Sequence, residues 1–149
     1  FYSDSYEVIL DMITIAIGLN NIYLRGNYDS FSDKGNVKNF ETYIKQTKSE
    51  RIKSLIEEEP FSKCIKMDRH VRNAIAHYDY EFDASSQKII FYDKHRGKEN
   101  TVELYLCELA LLCYDNITIL IYLNELFYGL RKIDFMKMGM CPHIGYPSK

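Results

Sequence analysis

An all-α fold, an up-and-down bundle of four to five helices with a small β-hairpin at about residues 80–92 ahead of the long last helix, is the class this sequence predicts. Three observations carry that expectation. Apolar residues recur at helical spacing through most of the first 134 positions, one short stretch alternates and is bounded by polar turn residues, and no repeat or low-complexity segment interrupts residues 5–134. A chain of 149 residues is also the size of one domain and can bury a core without disulfides or metals.

The first helix is predicted from Ser5 to about Leu24, where Val8, Ile9, Met12, Ile13, Ala16 and Leu19 recur at the spacing of a broadly buried helix. Asp4 and Ser5 offer the N-cap, and Arg25-Gly26-Asn27 offers the stop. Gly, Asn, Asp and Ser up to Asn36 read as a loop. A second helix is predicted from about Val37 to Glu58, closed by Pro60, and a third from Phe61 or Ser62. Tyr80–Asp83 and Lys88–Asp93 flank Ala84-Ser85-Ser86-Gln87 as a hairpin, and Lys94–Asn100 reads as a charged loop. Thr101 then caps the long helix, which Gly129 is expected to end. The domain is therefore placed at 1–134, with an irregular tail over 135–149. Because the first residue is Phe1, the chain is expected to be a fragment or an excised domain of something longer.

Composition narrows the function. Apolar residues at 46% and aromatics at 14% describe a globular chain, and the net charge of −2 argues against coating nucleic acid by bulk electrostatics. Lys and Arg still crowd one region, from Lys45 to Lys53 and again from Lys63 to Arg72. Four cysteines at 64, 107, 113 and 141 form no CxxC pair, and no signal peptide is evident, so a reducing, cytoplasmic setting is expected. Cys141-Pro142-His143 has no second pair at a zinc-like spacing, so no metal and no cofactor is expected. Leu104–Leu130 is long and apolar, but Glu108, Asp115, Asn116, Asn124 and Glu125 are costly in a bilayer. It reads as a core helix, with no membrane partner.

The chemistry concentrates in Arg72-Asn73-Ala74-Ile75-Ala76-His77. At about 100° per residue, Arg69, Asn73 and His77 form a polar stripe along the third helix, with Val71, Ala74, Ile75 and Tyr78 opposite. Arg72 lies roughly 140° from His77, so the two side chains converge most easily where the helix ends close by. No Gly-rich phosphate loop, GxSxG or HExxH accompanies them.

Val71-Arg72-Asn73-Ala74-Ile75-Ala76-His77 resembles the signature of the HEPN superfamily, an Arg followed by a polar residue and, after a short spacer, a His. The predicted bundle over about residues 5–130 is similar to that superfamily as well. The resemblance implies a metal-independent endoribonuclease in which two protomers pair through the motif helix and both motifs share one cleft. Arg72 would hold the scissile phosphate, His77 would move protons, and Asn73 would orient His77 or bind the phosphate. Attack of the RNA 2′-hydroxyl would leave a 2′,3′-cyclic phosphate and a 5′-hydroxyl. Lys66, Arg69 and His70 would extend a cationic lining toward RNA, with Tyr80, and Tyr78 beside it, open to base stacking or to simple packing. The resemblance further suggests a toxin or antiphage-defence effector, partnered by RNA, a second copy, and an antitoxin or a further domain of the same protein. One antitoxin-paired branch carries Tyr two residues after the His, where this chain has Asp79. Two other readings stay open: a non-catalytic dimerisation or RNA-binding module of the same superfamily, and an unrelated bundle in which Arg72 and His77 are structural.

Overall fold

The computed structural model describes residues 1–33, 35–54, 67–95 and 97–140. Among these residues five α-helices and three strands follow in the order α1 (Tyr2–Arg25), α2 (Phe40–Ile44), α3 (Lys48–Arg51), α4 (Arg69–His77), β1 (Tyr80–Asp83), β2 (Lys88–His95), β3 (Lys98–Tyr105) and α5 (Leu106–Lys137), with a 3-10 turn over Ile52–Ser54. The fold is thus mainly helical with a small antiparallel sheet, one strand larger than the expected hairpin.

α1 is the spine. Its apolar positions occupy so much of its circumference that three separate clusters form around it. Tyr2, Tyr6 and Leu10 meet Val71 and Ala74 of α4 and Ile89 and Phe91 of β2. Ile9 and Ala16 meet Ile119 and Leu123 of α5. Ile13 and Ile17 meet Val37 and Tyr43. The helix starts at Tyr2 rather than at Ser5, because Phe1 is the N-cap and Ser5 sits inside the first turn, where its buried hydroxyl donates to the Tyr2 carbonyl at 2.9 Å. Gly26 ends it as anticipated, in the left-handed region at φ 74, with its N–H on the Ile22 carbonyl.

The single helix expected over residues 37–58 is instead two short ones and a 3-10 turn through Ser54, with residues 55–66, and so the expected start of the third helix, outside the described residues. Local side chains break it. Asn39 caps α2 by accepting from the Thr42 N–H at 2.9 Å, and extended Thr47 opens α3 with its N–H on the Glu50 carboxylate.

The hairpin turns at residues 84–87, where Asp83 accepts from Ser85 N–H and from both Ser85 and Ser86 hydroxyls. These bonds hold its carboxyl down at a pKa of about 2. β3 occupies the segment expected to be a charged loop and the first turn of the last helix. Its register pairs Val102 with Phe91 and Leu104 with Ile89, so alternate side chains reach the core while Thr101, Glu103 and Tyr105 face solvent.

α5 accordingly starts at Leu106, with the Tyr105 N–H on Glu108, and runs through Gly129 to Lys137, into the stretch expected to be irregular. A single glycine weakens a helix by only about 1 kcal/mol. By length and composition both α1 and α5 could cross a membrane. In α1 the core is made by one broad face that includes Ile9, Leu10, Ile13, Ala16 and Ile17, while Val8, Ile22 and Tyr23 are exposed. In α5 only Asn116, Ile119 and Leu123 are buried, while Leu111 at 62%, Tyr114 at 65% and Tyr122 at 64% exposure lie bare. The expectation of a core helix thus holds for one face only.

Because Ile13 is fully buried between α1 and the aromatic rings of α2 and its loop, Ile13→Ala should lower the unfolding free energy by about 2–5 kcal/mol in a denaturant titration. A loss below about 1 kcal/mol would show that α1 is not the spine.

Candidate functional site

α4 is held at both ends. Asp68 is its N-cap, accepting from His70 N–H at 2.7 Å and Val71 N–H at 3.3 Å. The buried Tyr2 hydroxyl clamps that cap, accepting from Asp68 N–H at 3.0 Å and donating to its carbonyl. At the other end His77 is the last helical residue and Tyr78 is left-handed at φ 59, so the helix ends at the motif's histidine. Asp79 then ties helix to sheet: its N–H donates to the Ala74 carbonyl and its own carbonyl accepts from Tyr92.

Val71 and Ala74 bury one side of α4. The other side walls a cleft of about 590 Å³, to which α4 gives Arg69, His70, Arg72 and Asn73. α1 gives Tyr6, Glu7 and Leu10 to it, and Asp93 of β2, Asn100 of β3 and Lys48 of α3 complete it. One polar chain runs through these groups. The Arg72 guanidinium pairs with Glu7 through Nη2 and donates from Nη1 to Asn73 Oδ1 at 2.8 Å. Asn73 Nδ2 donates to Asp93 Oδ1 at 3.3 Å, and Asp93 Oδ2 lies 2.5 Å from His70 Nδ1. Arg72 Nε is buried with no partner among the described residues. Burial pushes the Tyr6 phenol above its ordinary range, and the nearby Arg72 charge pulls it partly back.

The structure therefore gathers four of the expected residues, Arg69, His70, Arg72 and Asn73, into one cleft. His77 does not line it. It stands exposed at the end of α4, with no side-chain partner among the described residues. Tyr80 is outside the cleft as well, half exposed with its ring 6.1 Å from Phe91, and Tyr78 is 84% exposed rather than on the buried side. Lys66 and Cys141-Pro142-His143 lie outside the described residues. Among those described, no three His, Cys, Asp or Glu side chains are grouped to hold a metal. A second cavity, of about 310 Å³, lies between Phe31, Ser32, Gly35 and Val37 on one side and Glu50 and Lys53 on the other, and these last two are its charged groups among the described residues.

Sequence reasoning missed Glu7 and Asp93. Asp93 was legible in principle, since Ile89, Phe91 and Asp93 share one face by strand alternation and all three are buried. Glu7 has no local signal, because only the approach of α1 to α4, 65 residues apart at this ion pair, gives it a partner.

A helical domain that presents an Arg-Asn…His helix to a cleft between its first helix and a small sheet defines a class of motif-bearing helical modules. The family described as HEPN pEK499 p136 matches residues 7–125, and the chain belongs to this HEPN family. No curated protein and no solved structure matches it.

Burial raises the pKa of Tyr2 to about 12. A phenol raised above its unfolded value near 10 favours the folded state fully below about pH 10, and that contribution is lost as pH rises toward 12. Tyr2→Phe should therefore flatten the alkaline loss of stability between those values. It should also cost about 1 kcal/mol at neutral pH, from the lost clamp on Asp68. Unchanged alkaline denaturation would show that Tyr2 does not ionise on unfolding.

Proposed function

We propose that this chain is a metal-independent RNA endonuclease, acting as a toxin or antiphage-defence effector in the cytoplasm. The observation that carries the reading is Arg72: a family-motif guanidinium sits at a cleft, half-buried, oriented by Glu7 and Asn73, where a planar donor fork suits a phosphodiester. Arg72 holds the scissile phosphate and stabilises its added charge, Asn73 fixes the Arg72 fork, and His77 moves a proton at the exposed end of the helix. Arg69 and Lys48 line the same cleft and attract the RNA backbone. The nucleophile is the RNA 2′-hydroxyl, so DNA is spared.

The active unit in this reading is a homodimer. Expectation placed the contact on the motif helix, but the outward side of α4 is polar, and α5 carries bare apolar side chains along its length. We therefore place the second copy on α5, which carries more exposed large apolar side chains than any other described element, since exposed patches of this kind mark interaction surfaces. A second reading, an RNA-binding or dimerisation module without catalysis, draws on the position of His77 outside the cleft and on the hold of Glu7 on Arg72.

Incubation of the purified protein with labelled RNA in EDTA should give fragments ending in 2′,3′-cyclic phosphate, slowed at least about 100-fold in Arg72→Ala and His77→Ala. Intact RNA with wild type, or equal cutting by both variants, removes the catalytic reading. In sedimentation at tens of micromolar the wild type should run as a dimer and Leu111→Glu/Tyr122→Glu as a monomer. A monomeric wild type removes the paired active unit.

A further inference from the structure

Resting on the RNA-cleaving reading, we propose that His70, oriented by Asp93, is the base that removes the proton from the attacking 2′-hydroxyl, leaving His77 to serve the leaving group. The reasons lie in the cleft. His70 lines it and His77 does not. Its Nδ1 is 2.5 Å from Asp93 Oδ2, and Asp93, with its side chain 8% exposed, is further tied by Asn73 Nδ2. A buried carboxylate only accepts, so the proton of the neutral ring sits on Nδ1 and the lone pair on Nε2. Nε2 has no partner among the described residues. The imidazolium formed when Nε2 takes a proton is stabilised by the same carboxylate, which is how a buried Asp supports a proton-accepting His elsewhere.

Asn73 links this pair to the phosphate holder. It accepts from Arg72 and donates to Asp93, so the group that binds the phosphate and the group that orients the base share one rigid bridge. His70 and His77 are seven residues apart, which on a helix places them on nearly one face about 10.5 Å apart along its axis. That spacing accommodates a phosphate and a water. As O2′ bonds to phosphorus, its proton passes to His70 Nε2. As the P–O5′ bond breaks, the 5′-oxygen takes a proton from His77 through a bridging water. Exchange of one proton between the two rings and solvent restores both, and the products are the 2′,3′-cyclic phosphate and the 5′-hydroxyl.

The test compares two substrates. One is an RNA oligonucleotide, and the other is a uridine 3′-aryl phosphate whose nitrophenolate leaves without a proton. His70→Ala, His70→Gln and Asp93→Asn should each slow both substrates by about 100-fold or more. His77→Ala should slow the oligonucleotide but leave the aryl ester within a few-fold of wild type. Added imidazole should restore part of the activity of His70→Ala, which a merely structural role would not allow, and circular dichroism checks that each variant is folded. If wild type cuts RNA while folded His70→Gln and Asp93→Asn stay within a few-fold of it, the inference is overturned and the nuclease reading survives. The same holds if His77→Ala slows the aryl ester as much as the oligonucleotide. If wild type leaves RNA intact, the nuclease reading itself fails. Independently of activity, a nitrogen-15 spectrum placing the neutral-ring proton of His70 on Nε2 overturns the inference.

Discussion

Everything in this domain is organised by the need to cover α1. A helix with Ile9, Leu10, Ile13, Ala16 and Ile17 all removed from water cannot be satisfied by one neighbour, and each buried Ile or Leu side chain contributes on the order of 1.5–3 kcal/mol. α5 covers one side, α4 with the sheet another, and the residue 31–43 region a third. The cleft follows from the same constraint. α4 presses Val71 and Ala74 onto Tyr2, Tyr6 and Leu10, so its opposite half must face outward, and Glu7 of α1 is the acid beside it. The cleft is what remains between a helix that has to be covered and a helix amphipathic enough to cover it.

Within the cleft the decisive cost is electrostatic. Burying the Asp93 carboxylate is unfavourable unless its oxygens are bonded, and His70 and Asn73 bond one each. Asn73 in turn holds Arg72, whose charge Glu7 balances. Glu7, Arg72, Asn73, Asp93 and His70 thus act as a single unit whose members set one another's rotamers. Removing one leaves another buried and unmatched, so their effects on any activity will not add independently.

The helical class and the motif were legible because both are local. The apolar period of α1, the glycine that stops it and the hairpin over Tyr80–Asp93 require no knowledge of neighbours. β3 was missed because Lys98, Glu99 and Asn100 look like a charged loop and Leu104 runs on into the apolar stretch of the last helix, so the alternation of Val102 and Leu104 is too short to stand out until it pairs with Phe91 and Ile89. The break between α2 and α3 was missed because Asn39 and Thr47 compete locally with a helix that the apolar pattern supports. In the site, Arg72 and Asn73 were readable as a motif. What sets His70 apart from its neighbours is its contact with Asp93, and what sets Arg72 apart is its pairing with Glu7, and both partners come from distant elements.

The tight stop after His77 has a mechanical meaning. Between the last helical residue and the first residue of β1 stand only Tyr78 and Asp79, and Asp79 is bonded both to the carbonyl of Ala74 and to the amide of Tyr92. The motif helix therefore has no hinge of its own at that end. Helix and sheet form one lever, with Asp93 on the sheet arm and Arg72 on the helix arm, so a force applied to the outer strands is transmitted to the Arg72 guanidinium without passing through a flexible joint.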